Sequence, residues 1–553
     1  MSKMETTTVA VGNIAARFLD AAEKYADHPA VGMAGDDAYL TYRQMAEHIR
    51  ACATFIAPVT RGEAIGLLSE NRPEWGKIYL AILACGGMVV PIDSLLKKDE
   101  LAHVIAESRV SRLFVSSRYH PIADQAIGGL EHRPKLIRIE TIPVEMAQGF
   151  EPEPDDNPDA PAALIFTSGT TGRSKRVILT HRNILSDVEG CVKRIPFGVG
   201  DRFLSVLPLH HTFEATAGFL APLLNGSAIY YVKAINSREI IDGIKRHRIT
   251  RFISVPLLYE KLYHGILNAV DKAPIPKRAL IRLSMRSTKA LYSITGINIG
   301  KRLFRSLRQK AGLDSIISMV SGGAPLPAEI ARNFNLMGLT LAEGYGLTET
   351  SPALALNPID RIKYGSVGPP LDNVEIKIDD PDETGAGEII ARGPMITPGY
   401  RDNPEETARL IRNGWLHTGD VGRFDQDGYL YISGRMKNLI VSAAGKNIYP
   451  EEIESQLLRS PLIIEAMVWG KKVDSGREEV AALIYPDFET LSARLGKKAE
   501  EITDNDVRTV LDPEVKLLSA EMADYKRVKH IDYIRQEMEK TSTKKIKRYL
   551  YQK

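Results

Sequence analysis

Cysteine is nearly absent from this chain: Cys52, Cys85 and Cys191 are the three in 553 residues, far apart and with no paired spacing. That excludes a disulfide framework and a cysteine zinc site, and it fits a reducing compartment. An excess of charge of one sign is missing too. The formal net charge of +3 is far from the basic footprint of a dedicated nucleic-acid binder. No apolar run reaches the roughly 20 residues a membrane span needs. The most apolar stretch, Ile78 to Ile92, is broken by Gly86-Gly87 and reads as a buried helix passing into a buried strand. Met1 to Ile14 lack the positive start and apolar core of a signal peptide, so a cytoplasmic protein is expected, with at most peripheral contact at the inner face of a membrane. No internal repeat or low-complexity tract is present.

A composition of 44% hydrophobic and 25% charged residues is that of an ordinary globular protein, and the length calls for two or more domains. Helical periods alternate with short β-branched runs from residue 15 to 120: Phe18 to Lys24, Ala64 to Leu68, Trp75 to Cys85, Met88 to Ile92, Arg112 to Ser116. Such alternation predicts a mostly parallel sheet covered on both faces. The rhythm returns after residue 200, with strands expected at Phe203 to Leu207, Ala228 to Val232, Arg251 to Val255 and Ser315 to Val320. From Val374 the period becomes two: Val374, Ile376 and Ile378 oppose Glu375, Lys377 and Asp379, a half-buried antiparallel strand. Glu388 to Ala391 and Tyr429 to Ile432 continue in that style, so a β-rich unit is expected near 370–433. An α+β tail follows from about 438, including a helix that Pro450 can open, with Ile453 and Leu457 on one face. Gly434 to Lys437 is suited to a hinge.

The strongest chemical signal is Phe166-Thr167-Ser168-Gly169-Thr170-Thr171-Gly172-Arg173-Ser174-Lys175, directly after the apolar run Ala162 to Ile165. Small residues let backbone N–H groups approach an anion closely, and hydroxyls and a lysine add donors, so the loop suits a polyphosphate. A short Gly/Ser run is by default a polar turn, but this many hydroxyl and glycine residues after a buried strand favour phosphate. It is not a Walker A loop, in which a lysine directly follows the last glycine.

This loop, continuing to Thr180-His181-x-Asn183, resembles the signature of the adenylate-forming superfamily, which includes acyl-CoA synthetases, peptide-synthetase adenylation domains and firefly luciferase. Further motifs stand in the family's order: Ser321 to Pro325, Glu343-Gly344-Tyr345-Gly346-Leu347-Thr348-Glu349, Trp415 to Asp420, Gly434 to Lys437 and Lys540 to Lys545. The resemblance covers nearly the whole chain and is nearest to the long-chain fatty acyl-CoA synthetases.

It implies an α/β fold. A large N-terminal domain (1–434) would hold two doubly wound α/β subdomains and a small distorted β-barrel (about 370–433). A hinge (435–437) would lead to a small mobile α+β C-terminal lid domain (438–553). The implied activity is that of an AMP-forming ligase of carbon–sulfur bonds. MgATP and a carboxylic acid, here a medium- or long-chain fatty acid, give acyl-adenylate and pyrophosphate, and CoA then takes the acyl group.

By resemblance, Lys545 bridges the carboxylate and the α-phosphate, where two anions must approach. Glu349 holds Mg²⁺ on the phosphates, Thr348 contacts the α-phosphate, and Thr167, Ser168, Gly169, Thr170, Thr171, Gly172 and Lys175 bind the polyphosphate. Tyr345 stacks on adenine, Gly323, Ala324 and Pro325 line its other face, and Glu343, Gly344 and Gly346 complete the nucleotide site. Asp420, with Arg435 nearby, takes the ribose hydroxyls. Lys437 is the hinge, and Ser442, Ala443, Ala444 and Gly445 line the CoA tunnel. In Leu207 to Glu214, His211 matches the histidine placed beside the reacting carboxylate, with Phe213, Val255 and Gly322 in the acyl pocket. Ser254-Val255-Pro256 and Glu260-Lys261 also resemble the long-chain branch.

Three residues depart from the family pattern: Ser174 replaces a common proline, Arg176 a usual glycine, and Lys544 the glycine before the catalytic lysine. Two other functions share these residue types, an enzyme that loads a carrier protein and an inactive acyl- or AMP-binding homologue. Between Lys272 and Lys310 stand eleven Lys/Arg and no Asp/Glu. Arg278, Arg282, Arg286 and Lys289 form one helical stripe beside Ile281, Met285 and Tyr292. That pattern suits either an anionic membrane surface or a solvated face.

Overall fold

The structure is a computed structural model that describes residues 12–143, 157–167, 175–441, 446–473, 478–541 and 545–552. By contact density the chain divides into two compact units, 1–376 with 391–416, and 377–390 with 417–553. The expected hinge segment Gly434 to Lys437 lies inside the second.

Two mostly parallel sheets organise the first unit. The seven-stranded sheet runs, edge to edge, Gly399–Tyr400, Lys175–Thr180, Pro161–Thr167, Met88–Pro91, Ala64–Leu68, Arg112–Val115, Lys135–Arg138. Its last five strands are parallel, while Lys175–Thr180 turns back antiparallel on Pro161–Thr167. The eight-stranded sheet runs Ala353–Leu356, Thr340–Gly346, Ser318–Ser321, Arg251–Ser254, Arg202–Ser205, Ala228–Tyr231, Pro29–Met33, Tyr39–Thr41. Only its two outermost strands are antiparallel to their neighbours.

Burial on both faces explains the composition of the central strands. Ala64 to Leu68 and Met88 to Pro91 are buried at every position, so they read as continuous apolar runs rather than alternating ones. The helix Pro73–Ala84 is sealed between layers: Trp75 stacks on Tyr79, and Phe219 meets both rings edge-on. Proline opens this helix at its first turn, where its missing N–H costs no bond.

Further strands follow residue 374, among them Glu375–Asp379, Gly387–Arg392, Ile411–Arg412, Trp415–Phe424 and Leu430–Arg435. In the second unit Ile463–Lys472 pairs antiparallel with Glu478–Pro486, which pairs parallel with His530–Tyr533. Helices Pro450–Leu457 and Asp504–Ala520 pack there through Ile453, Leu457, Leu511 and Val515, all fully buried. Among the described residues no helix is long and apolar enough to cross a membrane.

Candidate functional site

In the first unit the described ends of the expected phosphate loop, Thr167 and Lys175, lie on two paired antiparallel strands. Thr167 pairs with Lys175 and Phe166 with Arg176, so the two ends of the loop are held side by side. Ser168, Gly169, Thr170, Thr171 and Gly172, with Ser174, lie outside the described residues.

Lys175 is held at this rim by two groups. Its Nζ lies 2.8 Å from Glu406 Oε2 and 4.8 Å from the centroid of the Tyr400 ring. The Lys175 ammonium holds the Glu406 carboxyl below its usual pKa. The Tyr400 hydroxyl donates to Glu349 Oε1 at 2.8 Å. Burial and the neighbouring Glu349 carboxylate raise the phenol's pKa, so the hydroxyl keeps its proton and remains a donor. Tyr400 thereby joins the expected phosphate lysine to the expected magnesium carboxylate.

The sequence reading missed Tyr400 and Glu406. Tyr400 belongs to a two-residue strand with Gly399, paired to Ile178 and Val177, which is too short for periodicity. Gly399 has φ 136°, and a Cβ there would lie 2.3 Å from Thr407 Cγ2. Glycine is required, and it is the one local hint. Thr397 N–H donates to the Glu349 carbonyl at 2.9 Å, which ties this segment to the short 3₁₀ turn Thr348–Thr350.

Thr180, His181 and Asn183 brace the framework. Thr180 and Asn183 form a reciprocal helix cap, and Asn183 Nδ2 donates to the carbonyls of Pro394 and Ile396, both at 2.8 Å. His181 Nδ1 accepts from the Ile14 N–H at 3.2 Å.

In the eight-stranded sheet, expected residues lie at or just beyond the C-terminal ends of parallel strands, where ligands collect in open α/β sheets. Ser254, Ser321 and Glu343 stand in one row across three neighbouring strands. Gly323 takes φ 82°, a Cβ on it would lie 3.9 Å from Val255 Cγ1, and one on Gly322 would lie 3.1 Å from the Phe213 ring. Of the residues expected in an acyl pocket, Phe213 thus neighbours Gly322, and Val255 neighbours the adjacent Gly323. Gly346 tolerates no side chain, since its Cβ would lie 1.7 Å from the Pro352 carbonyl oxygen. Glu343 is buried, and Leu326 N–H donates to its Oε1 at 3.0 Å. Burial pushes this carboxyl up to about 8, so it is neutral at pH 7.

The two histidines differ. His210 is buried, its Nε2 is 3.5 Å from Asp93 Oδ1, and its ring centroid is 4.1 Å from that of His211. His211 is half-exposed at the start of a helical turn, the accessible one of the pair. Asn71 staples this segment: its Oδ1 accepts from Leu209 N–H at 3.1 Å and its Nδ2 donates to the Leu207 carbonyl at 2.6 Å. Glu214 follows in a π-helical turn, Glu214–Leu220, bonded to Ser205 Oγ at 2.5 Å. Burial pushes its carboxyl up to about 8. Asn71 carried no motif and was not anticipated.

In the second unit Asp420 and Arg435 are cross-strand partners. Arg435 Nε lies 2.7 Å from Asp420 Oδ1, so the expected ribose carboxylate and its arginine meet directly. Asp379, Glu388 and His417 could offer ligand atoms within 4.8 Å of one another, the one such group of three among the described residues. His417 Nδ1 already lies 2.7 Å from Glu388 Oε2, and Gly419 N–H donates to Glu388 Oε1 at 3.0 Å. This pair fixes the strand that carries Asp420. Lys437 lies in the 3₁₀ turn Met436–Asn438. Lys545 is bonded to Thr541, its carbonyl accepting from Thr541 N–H at 2.8 Å and its N–H donating to Thr541 Oγ1 at 3.2 Å. Ser442, Ala443, Ala444, Gly445 and Lys544 lie outside the described residues.

Comparison with known proteins shows the family and the fold. The family model of AMP-binding enzymes matches residues 18–401. The long-chain-fatty-acid–CoA ligase FadD15 of Mycobacterium bovis is 30% identical, with 92% of this chain and 90% of that protein covered. The peroxisomal long chain acyl-CoA synthetase 7 of Arabidopsis thaliana is 29% identical over 94% of this chain and 79% of its own. A feruloyl-CoA synthase from Amycolatopsis is 28% identical over 81% and 84%. Among solved structures, ATP-bound MatB from Rhodopseudomonas palustris superposes with a TM-score of 0.77 at 24% identity, covering 98% of each chain. The o-succinylbenzoate CoA synthetase of Bacillus subtilis with its acyl-adenylate gives 0.77 at 23%, covering 97% and 98%. The chain belongs to the AMP-binding enzyme family, and its fold is that of adenylate-forming enzymes.

Proposed function

We propose that this protein is an AMP-forming acyl-CoA synthetase whose acid is a medium- or long-chain fatty acid. The observation that carries the reading is the Lys175–Tyr400–Glu349 cluster at the rim of the loop-bearing hairpin, within a chain of AMP-binding family sequence. A carboxylate oxygen attacks the α-phosphate of ATP and pyrophosphate leaves. The CoA thiol then attacks the acyl carbon, AMP departs and the thiol proton is released. Lys175 offers its charge to the leaving polyphosphate, and Lys545 is assigned to the attacked phosphate by its motif.

Magnesium fits the residues present. One carboxylate, Glu349, oriented by the Tyr400 hydroxyl, suits an ion that keeps waters and shares its oxygens with substrate phosphates. When bound it would neutralise phosphate charge. Asp420 and Arg435 are assigned to the ribose, Lys437 to the hinge of a C-terminal lid (438–553), and residues 442–445 to the path of the pantetheine arm. Phe213, Val255 and Gly322 are assigned to the acyl chain, with His211 near the carboxylate. The fatty-acid preference is supported by the relatives named as long-chain ligases and by the apolar neighbours of Gly322 and Gly323. Peripheral contact with an anionic membrane belongs to the same reading, because such acids partition into bilayers.

The test is AMP formation over saturated acids from C2 to C18 plus benzoate and ferulate, with and without CoA. Maximal CoA-dependent turnover with a C8–C18 acid is expected. Pyrophosphate release without CoA consumption would point to carrier loading, and neither product with any acid would make the protein a binding homologue.

A further inference from the structure

The helix Ile275–Thr295 is 21 residues long, and Thr288 is its only buried side chain. Ile281 and Met285 pack on the core of the eight-stranded sheet, so they are not the outward apolar face that the sequence pattern suggested. Helical geometry at 100° per residue places Leu283, Ala290 and Ile294 nearly opposite that contact. Leu283 is 61% exposed, Ile294 82% and Ile275 72%. Leu280, Ile297 and Leu303 are also exposed. Arg278, Arg282, Arg286 and Lys289 flank this stripe on one side.

The charge is nearly unopposed. Arg282 lies 2.8 Å from Asp271 Oδ1, but no acidic residue occurs between Lys272 and Lys310. Lys277 and Lys310 lie close enough that the second holds the ammonium of the first below its usual pKa. With eleven cations in this segment, the rest of the chain has 61 Lys/Arg against 69 Asp/Glu. The positive charge is local.

We propose that Ile275–Thr295 is an in-plane membrane-docking helix, whose Leu283/Ile294 stripe enters the interface of an anionic bilayer while its Arg/Lys flank meets lipid phosphates. A strongly cationic stripe beside exposed leucine and isoleucine is the pattern of an interfacial helix, and anionic leaflets attract such cations. A second copy of this chain would oppose like charges across a two-fold contact. Nucleic acid would leave the aliphatic stripe in water. The inference rests on the fatty-acid reading and deepens it, placing the enzyme where its acid collects.

The experiment is cosedimentation of the full chain with vesicles of equimolar phosphatidylglycerol and phosphatidylcholine, and of phosphatidylcholine alone, at low and high salt. Binding to the anionic vesicles only, weakening with salt, is expected. Arg278→Glu/Arg286→Glu/Lys289→Glu should lower the partition coefficient roughly 100-fold or more, three surface cations being reversed. Leu283→Asp/Ile294→Asp should lower it at least about tenfold, through lost apolar insertion. Leu283, Arg286, Lys289 and Ile294 are exposed and Arg278 is half-buried, so both variants should keep the parent's circular dichroism and its AMP formation from a short soluble acid without vesicles. Equal binding by variants and parent, equal binding to neutral vesicles, or vesicle-free self-association lost in the variants would each overturn the proposal. Intact vesicle binding without AMP formation from any acid would instead defeat the ligase reading and leave the docking surface standing.

Discussion

Glu343 is a carboxyl that the fold keeps protonated, and stability should record it. Its pKa rises from 4.5 to about 8 through burial, against one opposing bond from Leu326 N–H. Between those values the folded chain binds a proton that the unfolded chain has released. Stability therefore falls as pH rises through this window, the reverse of an ion-paired carboxylate. One proton is worth about 1.4 kcal/mol per pH unit, so from pH 6 to 8 Glu343 should cost roughly 2–3 kcal/mol. Unfolding entropy near 2.1 cal/mol/K per residue over about 400 residues of the first unit converts this to roughly 3 °C in melting temperature. Glu343→Gln keeps the shape and an oxygen for Leu326 N–H but cannot titrate. Scanning calorimetry at pH 6, 7 and 8 should show the parent losing about 3 °C more than the variant. Parallel pH slopes in the two proteins would refute the buried-proton argument. Glu214, also pushed up to about 8 by burial, should behave the same way, so the double Gln variant should flatten the profile about twice as much.

Tyr400→Phe keeps the ring against Lys175 but removes the hydroxyl bonded to Glu349; kcat/KM for MgATP should fall roughly tenfold or more, as for a hydrogen bond to a charged group, and an unchanged value would remove Tyr400 from the site. Lys545→Ala should slow carboxylate-dependent ATP–pyrophosphate exchange by about 10²-fold or more while Lys544→Ala stays near the parent, and the opposite result would transfer the role to Lys544. Gly322→Ala brings a methyl to 3.1 Å from the Phe213 ring. Overpacking of about 1–3 kcal/mol should lower kcat/KM for the preferred acid by roughly 5- to 150-fold without changing KM for ATP, as read by steady-state kinetics with both substrates.

The strands were readable because burial on both faces leaves long β-branched runs. Ala64 to Leu68 matches residue for residue, and Met88 to Ile92 and Arg112 to Ser116 run one residue too long. Ser315 to Val320 starts three residues early: Ile317 is 51% exposed and pairing begins at Ser318. The helix Ile275–Thr295 shows the limit of periodicity. Apolar residues recur on two faces, and only packing tells that Ile281 and Met285 face inward while Leu283 and Ile294 do not.

The same distinction governs the site. Glycines and a serine after parallel strands were legible because each is demanded locally: Gly346 by the Pro352 carbonyl, Gly323 by its positive φ. The cluster around the expected phosphate lysine was not, because Lys175, Glu349 and Tyr400 are brought together from segments up to 225 positions apart. Nothing near Tyr400 in sequence announces its partner; the short pairing of Gly399–Tyr400 with Val177 and Ile178 delivers it. Motifs therefore report the residues expected to touch a nucleotide, while the groups that hold those residues in place are set by sheet order. Loss of Tyr400 or Asn71 should accordingly impair the enzyme through the placement of Glu349 or of the His210–His211 segment, without either residue belonging to a recognisable signature.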